Sequence, residues 1–197
     1  MNNKKTALLL VDLQNDFIHP NGAYGRASQF SQDIAVLPQT VAPVAKAMRK
    51  LGNPIISTQF TLIPDENGNP MIAEHLKKLR PFLTKGDFES GSWGNQMVDE
   101  LGLPDYVIEK IAYSAFYMTR LEWVLKKINI KHLIVGGIVT NGGVASTVRN
   151  AHVLDFDTTI LSDGCAAFSN ETHTNALSDL STVSDVKTCL EVIEILS

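Results

Sequence analysis

Three places in the chain carry residue types suited to proton transfer beside a developing negative charge. Asp12 directly follows the continuous apolar run at 7–11. A carboxylate leaving a buried strand is a candidate proton carrier, and a turn or capping aspartate fits the same position. Lys110 closely follows a second short apolar stretch at 106–108. A lysine there either stays solvated or keeps a neighbouring carboxylate ionised. The third place is Gly136-Gly137-Ile138-Val139-Thr140-Asn141-Gly142-Gly143-Val144-Ala145-Ser146-Thr147-Val148-Arg149. A glycine-rich turn opening a helix exposes backbone N–H groups where the helix dipole favours negative charge, which suits an oxygen that becomes anionic in a reaction. The same glycines also fit a helix that merely packs close to a strand.

The elements that must position these residues follow from apolar patterning. The run at 7–11 is apolar at every position, as expected of a central parallel strand buried on both faces. Strands are also expected at 54–58, 106–108, 132–135, 158–161 and 186–188. Helical spacing is found over 34–51, with Pro43 a candidate first-turn proline, and over 119–128. Helices are further expected at 71–79, 96–101, from the glycine turn to about residue 154, over 171–182 with Asn170 as cap, and over 189–196. Residues 162–165 read as a turn. The polar, glycine-rich stretch 85–94 reads as a loop over a site with Trp93 as a wall, or as a surface loop with one anchoring aromatic. Strands and helices alternate from end to end, so one α/β domain with a mostly parallel sheet is predicted. In such a sheet the C-terminal strand ends share one cleft, and Asp12, Lys110 and the turn at 138–143 meet there.

Composition narrows the function classes. A net charge of −4 and no basic cluster argue against nucleic-acid binding. The two cysteines, Cys165 and Cys189, form no metal-binding or redox spacing and fit a reduced, cytoplasmic setting; Cys165 reads as a small buried residue. The basic start at 1–5 is followed by an apolar run too short for a signal peptide, and no stretch is long enough to cross a membrane.

Several pieces, in order, resemble the isochorismatase-like hydrolase superfamily, also known as cysteine hydrolases of the nicotinamidase type. They are Asp12-Leu13-Gln14-Asn15-Asp16-Phe17, Gly91-Ser92-Trp93-Gly94, Lys110 with Tyr113-Ser114-Ala115-Phe116, the long stretch from Gly137 to Ala151, and Asp163-Gly164-Cys165-Ala166. The resemblance spans nearly the whole chain. It implies a three-layer α/β/α sandwich around a six-stranded, mostly parallel sheet, a single domain over 1–197, and a homo-oligomer of two or more copies. It implies Asp12 as general acid/base and Lys110 as its catalytic lysine. It further implies a non-proline cis peptide joining Ile138 and Val139, with the Val139 and Gly143 amides aimed at a substrate oxygen. Gln14, Phe17, Trp93, Phe116 and Thr140 are the pocket residues expected on this basis.

Two departures shape the functional reading. Amidohydrolases of the superfamily carry a nucleophilic cysteine where this chain has Gly143, and without a thiolate there is no thioester route. The nicotinamidase metal ligands are also absent: residues 57–63 read Ser-Thr-Gln-Phe-Thr-Leu-Ile, so neither metal nor cofactor is expected. Isochorismatases of the superfamily lack that cysteine too and share the Tyr-Ser-Ala-Phe stretch. In their chemistry an aspartate protonates a vinyl ether carbon and water completes the release of pyruvate. Val139-Thr140-Asn141, however, resembles the cysteine hydrolases more. The expected function is therefore small-molecule hydrolysis by Asp12 and Lys110 without a cysteine, with a vinyl ether that releases pyruvate as the candidate substrate. The alternatives are a catalytically silent binding protein and an amidohydrolase that uses activated water.

Overall fold

In the computed structural model, which describes residues 5–29 and 31–196, six strands form one sheet in the order β3-β2-β1-β4-β5-β6. The strands are β1 Thr6–Val11, β2 Ile55–Phe60, β3 Tyr106–Lys110, β4 His132–Ile138, β5 Asp157–Ala166 and β6 Asp185–Lys187. Every neighbouring pair is parallel. Residues 1–4, the greater part of the basic start, lie outside the described residues.

The central strand explains the layering. All six residues of β1 are buried, and their alternation sends Leu8 and Leu10 to one face and Ala7, Leu9 and Val11 to the other. On the first face they meet Val41, Val44 and Met48 of the helix Leu37–Lys50, and Val192 and Leu196 of the helix Cys189–Leu196. On the second they meet Leu121 and Leu125 of the helix Leu121–Lys127, and Val148 and Ala151 of the helix Ala145–Val153. The helix Asn170–Leu180 adds Leu180 to this second layer. The result is a three-layer α/β/α sandwich.

Chain order reverses between β1 and β4, the strands from which the sheet grows in opposite directions. Outside the C-terminal ends of two such strands the following connections diverge and leave a crevice. Asp12 sits at the end of β1, and β4 runs into the glycine turn.

Several element boundaries differ from the sequence expectation. β4 continues through Gly136 and Gly137 to Ile138, because Gly137 lies at φ +127° directly against Val11: a Cβ there would come within 2.1 Å of the Val11 carbonyl oxygen. Only glycine permits that approach. β5 includes residues 162–165, which read as a turn; pairing moves from Val135 with Ile160 to Gly137 with Cys165, so the polar residues bulge within the ladder. Pro38 occupies the first helical turn, whereas Pro43 lies inside the helix, with its ring on an exposed position. The cap of the helix Asn170–Leu180 is Ser169, whose side chain accepts the Thr172 N–H. The segment 71–79 is helical only over Glu74–Leu79, and 96–101 contracts to a 3₁₀ turn at Asp99–Leu101.

Candidate active site

Asp12 takes up a left-handed backbone conformation, φ +56°, as the chain leaves β1. Aspartate tolerates this better than most residues, and such conformations collect at functional sites. Its side chain is 6% exposed and makes two contacts with defined chemistry. Oδ2 pairs with Lys110 Nζ at 2.6 Å. Oδ1 accepts a 2.7 Å hydrogen bond from the Thr58 hydroxyl, which itself accepts the Asp12 N–H at 3.1 Å. Thr58 reaches this position because the parallel register sets it beside Val11.

Lys110 ends β3, two strands away across β2. It is among the largest fully buried side chains of the protein. Its ammonium also donates to the Ala112 carbonyl at 3.0 Å and lies 5.5 Å from the centre of the Phe60 ring. A buried ammonium is tolerated when paired and hydrogen-bonded, and both conditions hold here.

Beyond β4 the Ile138–Val139 peptide is cis, and residues Thr140–Val144 wind as a π turn into the helix Ala145–Val153. Gly143 faces the pair. A Cβ on it would lie 3.4 Å from Asp12 Oδ2, 3.3 Å from Val11 Cγ1 and 2.8 Å from the Ile138 carbonyl oxygen. A side chain at this position would thus be aimed at the Asp12 carboxylate, but the turn must open before one fits.

Asp12, Lys110, Ile138, Val139 and Gly143 line a small cavity with Phe17, Tyr24, Phe60, Arg80, Tyr113 and Phe168. It offers about 30 Å³ to the centre of a water-sized sphere. Tyr113, 43% exposed, and Phe168, 52% exposed, form its solvent side. The aromatic wall is built from separated segments: Phe17 lies 5.0 Å from Tyr24 and 4.5 Å from Phe88, and Tyr24 stacks on Phe168 with ring centres 5.7 Å apart. Asp16 fastens the wall, because its buried carboxylate accepts the Ala23 N–H at 2.9 Å and the Phe88 N–H at 2.7 Å. Burial holds the Asp16 carboxyl above its usual range, and those two N–H groups pull it back down.

Of the pocket residues expected from sequence, Phe17 lines this cavity and four others do not. Gln14 is buried but ties loops together, accepting the Phe60 N–H and donating to the Phe60 and Asn95 carbonyls. Trp93 is 47% exposed and packs edge-on to His19 instead of walling the cavity. Phe116 stacks on Phe156 behind the sheet, and the fully buried Thr140 hydroxyl pairs with His173 Nδ1 at 2.8 Å. Gln14, Phe116 and Thr140 adjoin segments that line the cavity while their side chains point elsewhere, whereas no residue of the stretch 85–94, expected to lie over the site, lines it.

The sequence reading did not single out Thr58, Tyr24, Phe60, Arg80 or Phe168. Thr58 becomes identifiable only once β1 and β2 are in register, and Arg80 follows a short helix in a region without strong periodicity. Neither cysteine takes the place of a thiol at 143. Both are buried, and loss of solvation is the largest cause raising both thiols, Cys165 to about 12. Among the described residues no cluster of three or more His, Cys, Asp or Glu is arranged to hold a metal ion, and no helix is long and apolar enough to cross a membrane.

Residues 6–194 match the family model described as the Isochorismatase domain. The chain is similar to the ureidoacrylate amidohydrolase RutB of Cronobacter turicensis, at 32% identity over 81% of this chain and 74% of the relative. The RutB protein of Caulobacter vibrioides is 29% identical over 81% of this chain and 76% of its own length. Among solved structures, a cysteine hydrolase from Pseudomonas syringae pv. phaseolicola superposes with a TM-score of 0.84 at 22% identity, covering 100% of this chain and 94% of that one. N-carbamoylsarcosine amidase from Thermoplasma acidophilum gives 0.74 at 23% identity, covering 94% and 96%. At these identities the two structures establish the shared fold.

Proposed function

The chain belongs to the isochorismatase family and is a hydrolase, and from that premise we propose that it hydrolyses a small molecule by proton transfer at Asp12 without a covalent protein intermediate. The observation that carries this reading is the buried Asp12–Lys110 pair facing a glycine at position 143. Both carboxylate oxygens are engaged, Oδ1 by the Thr58 hydroxyl and Oδ2 by Lys110 Nζ; Oδ2 is the one turned towards residue 143 and is therefore the atom assigned to exchange the proton. Lys110 stabilises the carboxylate each time the proton leaves. The Val139 and Gly143 amides supply donors for a developing oxyanion.

On a carboxylated vinyl ether the protonated Asp12 delivers its proton to the terminal carbon and leaves an oxocarbenium ion. Water adds to that ion and returns a proton to Asp12. The hemiketal then collapses to pyruvate and an alcohol. Similarity to proteins named ureidoacrylate amidohydrolase favours a second reading. There the Asp12 carboxylate takes a proton from water as the water attacks an amide carbon, and the amide oxygen turns to the backbone donors; the tetrahedral intermediate then collapses with cleavage of the C–N bond as Asp12 passes that proton to the leaving nitrogen, releasing the carboxylic acid and an amine or ammonia.

The test assays wild type, Asp12→Ala and Gly143→Cys on isochorismate and on a panel of small amides and ureido acids. Wild-type turnover that disappears in Asp12→Ala, with no amidase gain in Gly143→Cys, is the expected result. Pyruvate release identifies the first route and ammonia release the second. An inert wild type whose Gly143→Cys variant cleaves amides would instead identify a cysteine hydrolase that has lost its nucleophile. Tight ligand binding without turnover in either protein would identify a silent binding protein.

A further inference from the structure

The cavity has an unbalanced charge that the Asp12 chemistry does not use. Asp12 and Lys110 compensate one another at 2.6 Å. Arg80 lines the same cavity, and among the described residues no carboxylate forms an ion pair with it. Its neighbours are phenols. Nε donates to the Tyr24 hydroxyl at 2.7 Å, and Tyr113 also accepts a hydrogen bond from the guanidinium. A guanidinium carries five N–H donors in a planar fork, more than two hydroxyls take up. The other cavity walls are the rings of Phe17, Phe60 and Phe168.

A half-buried cation without an acidic partner, in an aromatic cavity that is otherwise neutral overall, is poised to receive an anion. We infer that Arg80 is the anchor for a carboxylate of the substrate, so that the hydrolase acts on small carboxylates held with one carboxylate on the Arg80 fork and the reacting atoms at Asp12. This rests on the proposed reading that the cavity at Asp12 is the reaction site. One planar guanidinium fork without a second cation beside it suits a planar carboxylate better than a phosphate dianion. The anchor also fixes direction: with its carboxylate at Arg80, the remainder of the molecule extends towards Oδ2 of Asp12 and the turn at Val139–Gly143. Tyr24 and Tyr113 keep the fork in place, and Tyr24 is itself held by stacking on Phe168.

The experiment reads binding rather than turnover. Isobutyrate and its neutral isostere isobutyramide are titrated by ligand-detected NMR into wild type, Arg80→Met, Arg80→Lys and Asp12→Asn. Wild type is expected to bind isobutyrate at least about tenfold more tightly than isobutyramide. Arg80→Met loses that preference, and Arg80→Lys keeps part of it because the charge remains while the fork does not. Asp12→Asn binds isobutyrate more tightly than wild type, because a negative charge has left the same cavity. Equal affinity of wild type for acid and amide overturns the inference, as does an Arg80→Lys or Arg80→Met protein that binds isobutyrate like wild type. An Asp12→Asn protein with unchanged affinity also overturns it, because the anion then sits elsewhere. Absence of hydrolysis by wild type would count against the Asp12 chemistry and leave these titrations standing.

Discussion

Replacing Lys110 by methionine tests the centre of the site through stability alone. Methionine roughly keeps the length of the side chain but removes the charge 2.6 Å from Asp12 Oδ2 and the hydrogen bond to the Ala112 carbonyl. Both side chains of the pair are almost wholly buried, at 1% and 6% exposure, so water cannot take over the lost interactions. Breaking a buried pair by removing one partner costs about 3–5 kcal/mol, chiefly because the other charge stays buried and uncompensated. For a domain of this size that corresponds to a fall in melting temperature of roughly 6–20 °C. The double variant Asp12→Asn/Lys110→Met has no stranded charge, and Thr58 can still donate to the Asn carbonyl. It is expected to recover about 2 kcal/mol or more relative to Lys110→Met. Urea denaturation of wild type, both single variants and the double variant gives all the terms of the cycle. A loss below about 1 kcal/mol for Lys110→Met, or a double variant no more stable than Lys110→Met, would refute the view that uncompensated charge dominates this site.

Two further substitutions probe the frame and its pH response. Gly137→Ala places a Cβ within 2.1 Å of the Val11 carbonyl oxygen at a φ of +127°, so a loss of about 4 kcal/mol or more is expected; an alanine variant that melts within about 2 °C of wild type would contradict that contact. His132 sits between the Thr6 and Thr159 hydroxyls, where burial holds its imidazole below the usual value, against the opposing pull of Asp157 and Asp185. The neutral ring therefore contributes stability above the unfolded value near 6.5, and this is lost as pH falls through the lowered folded value, because the unfolded chain takes up the proton first. The melting temperature of His132→Gln is expected to drop less than that of wild type between pH 7 and pH 5, and equal drops would show that this ring is not a source of acid sensitivity.

Some of this could be read before folding, and the reason is local. The run at 7–11 is apolar at every position, and that pattern suffices for a central strand with Asp12 at its exit. The glycine turn follows β4 in the same way, Lys110 is the last residue of β3, a strand expected to stop at 108, and the parallel sheet brings all three to one end. Boundaries were less legible. Nothing local announces that Gly136 and Gly137 belong to β4, since the requirement for glycine comes from the Val11 carbonyl on the neighbouring strand. Residues 162–165 have turn chemistry, yet pairing with β4 keeps them within β5.

The walls of the cavity were decided almost entirely in three dimensions. Gln14, Phe116 and Thr140 lie in segments that reach the site and Trp93 in a loop that does not line it; in all four, side-chain direction depends on packing against distant residues such as Asn95, His19, Phe156 and His173. Arg80 and Tyr24, 56 positions apart in the chain, come together through one hydrogen bond, and no spacing rule connects them. By itself the sequence determined the strand exit that carries the Asp12 carboxylate, because burial on both sides of a strand is written in consecutive apolar residues, and it indicated the edge strand of Lys110 from a shorter apolar stretch. Only the tertiary structure decided which of the remaining side chains share their cavity, because that depends on register and on contacts between segments far apart in the chain.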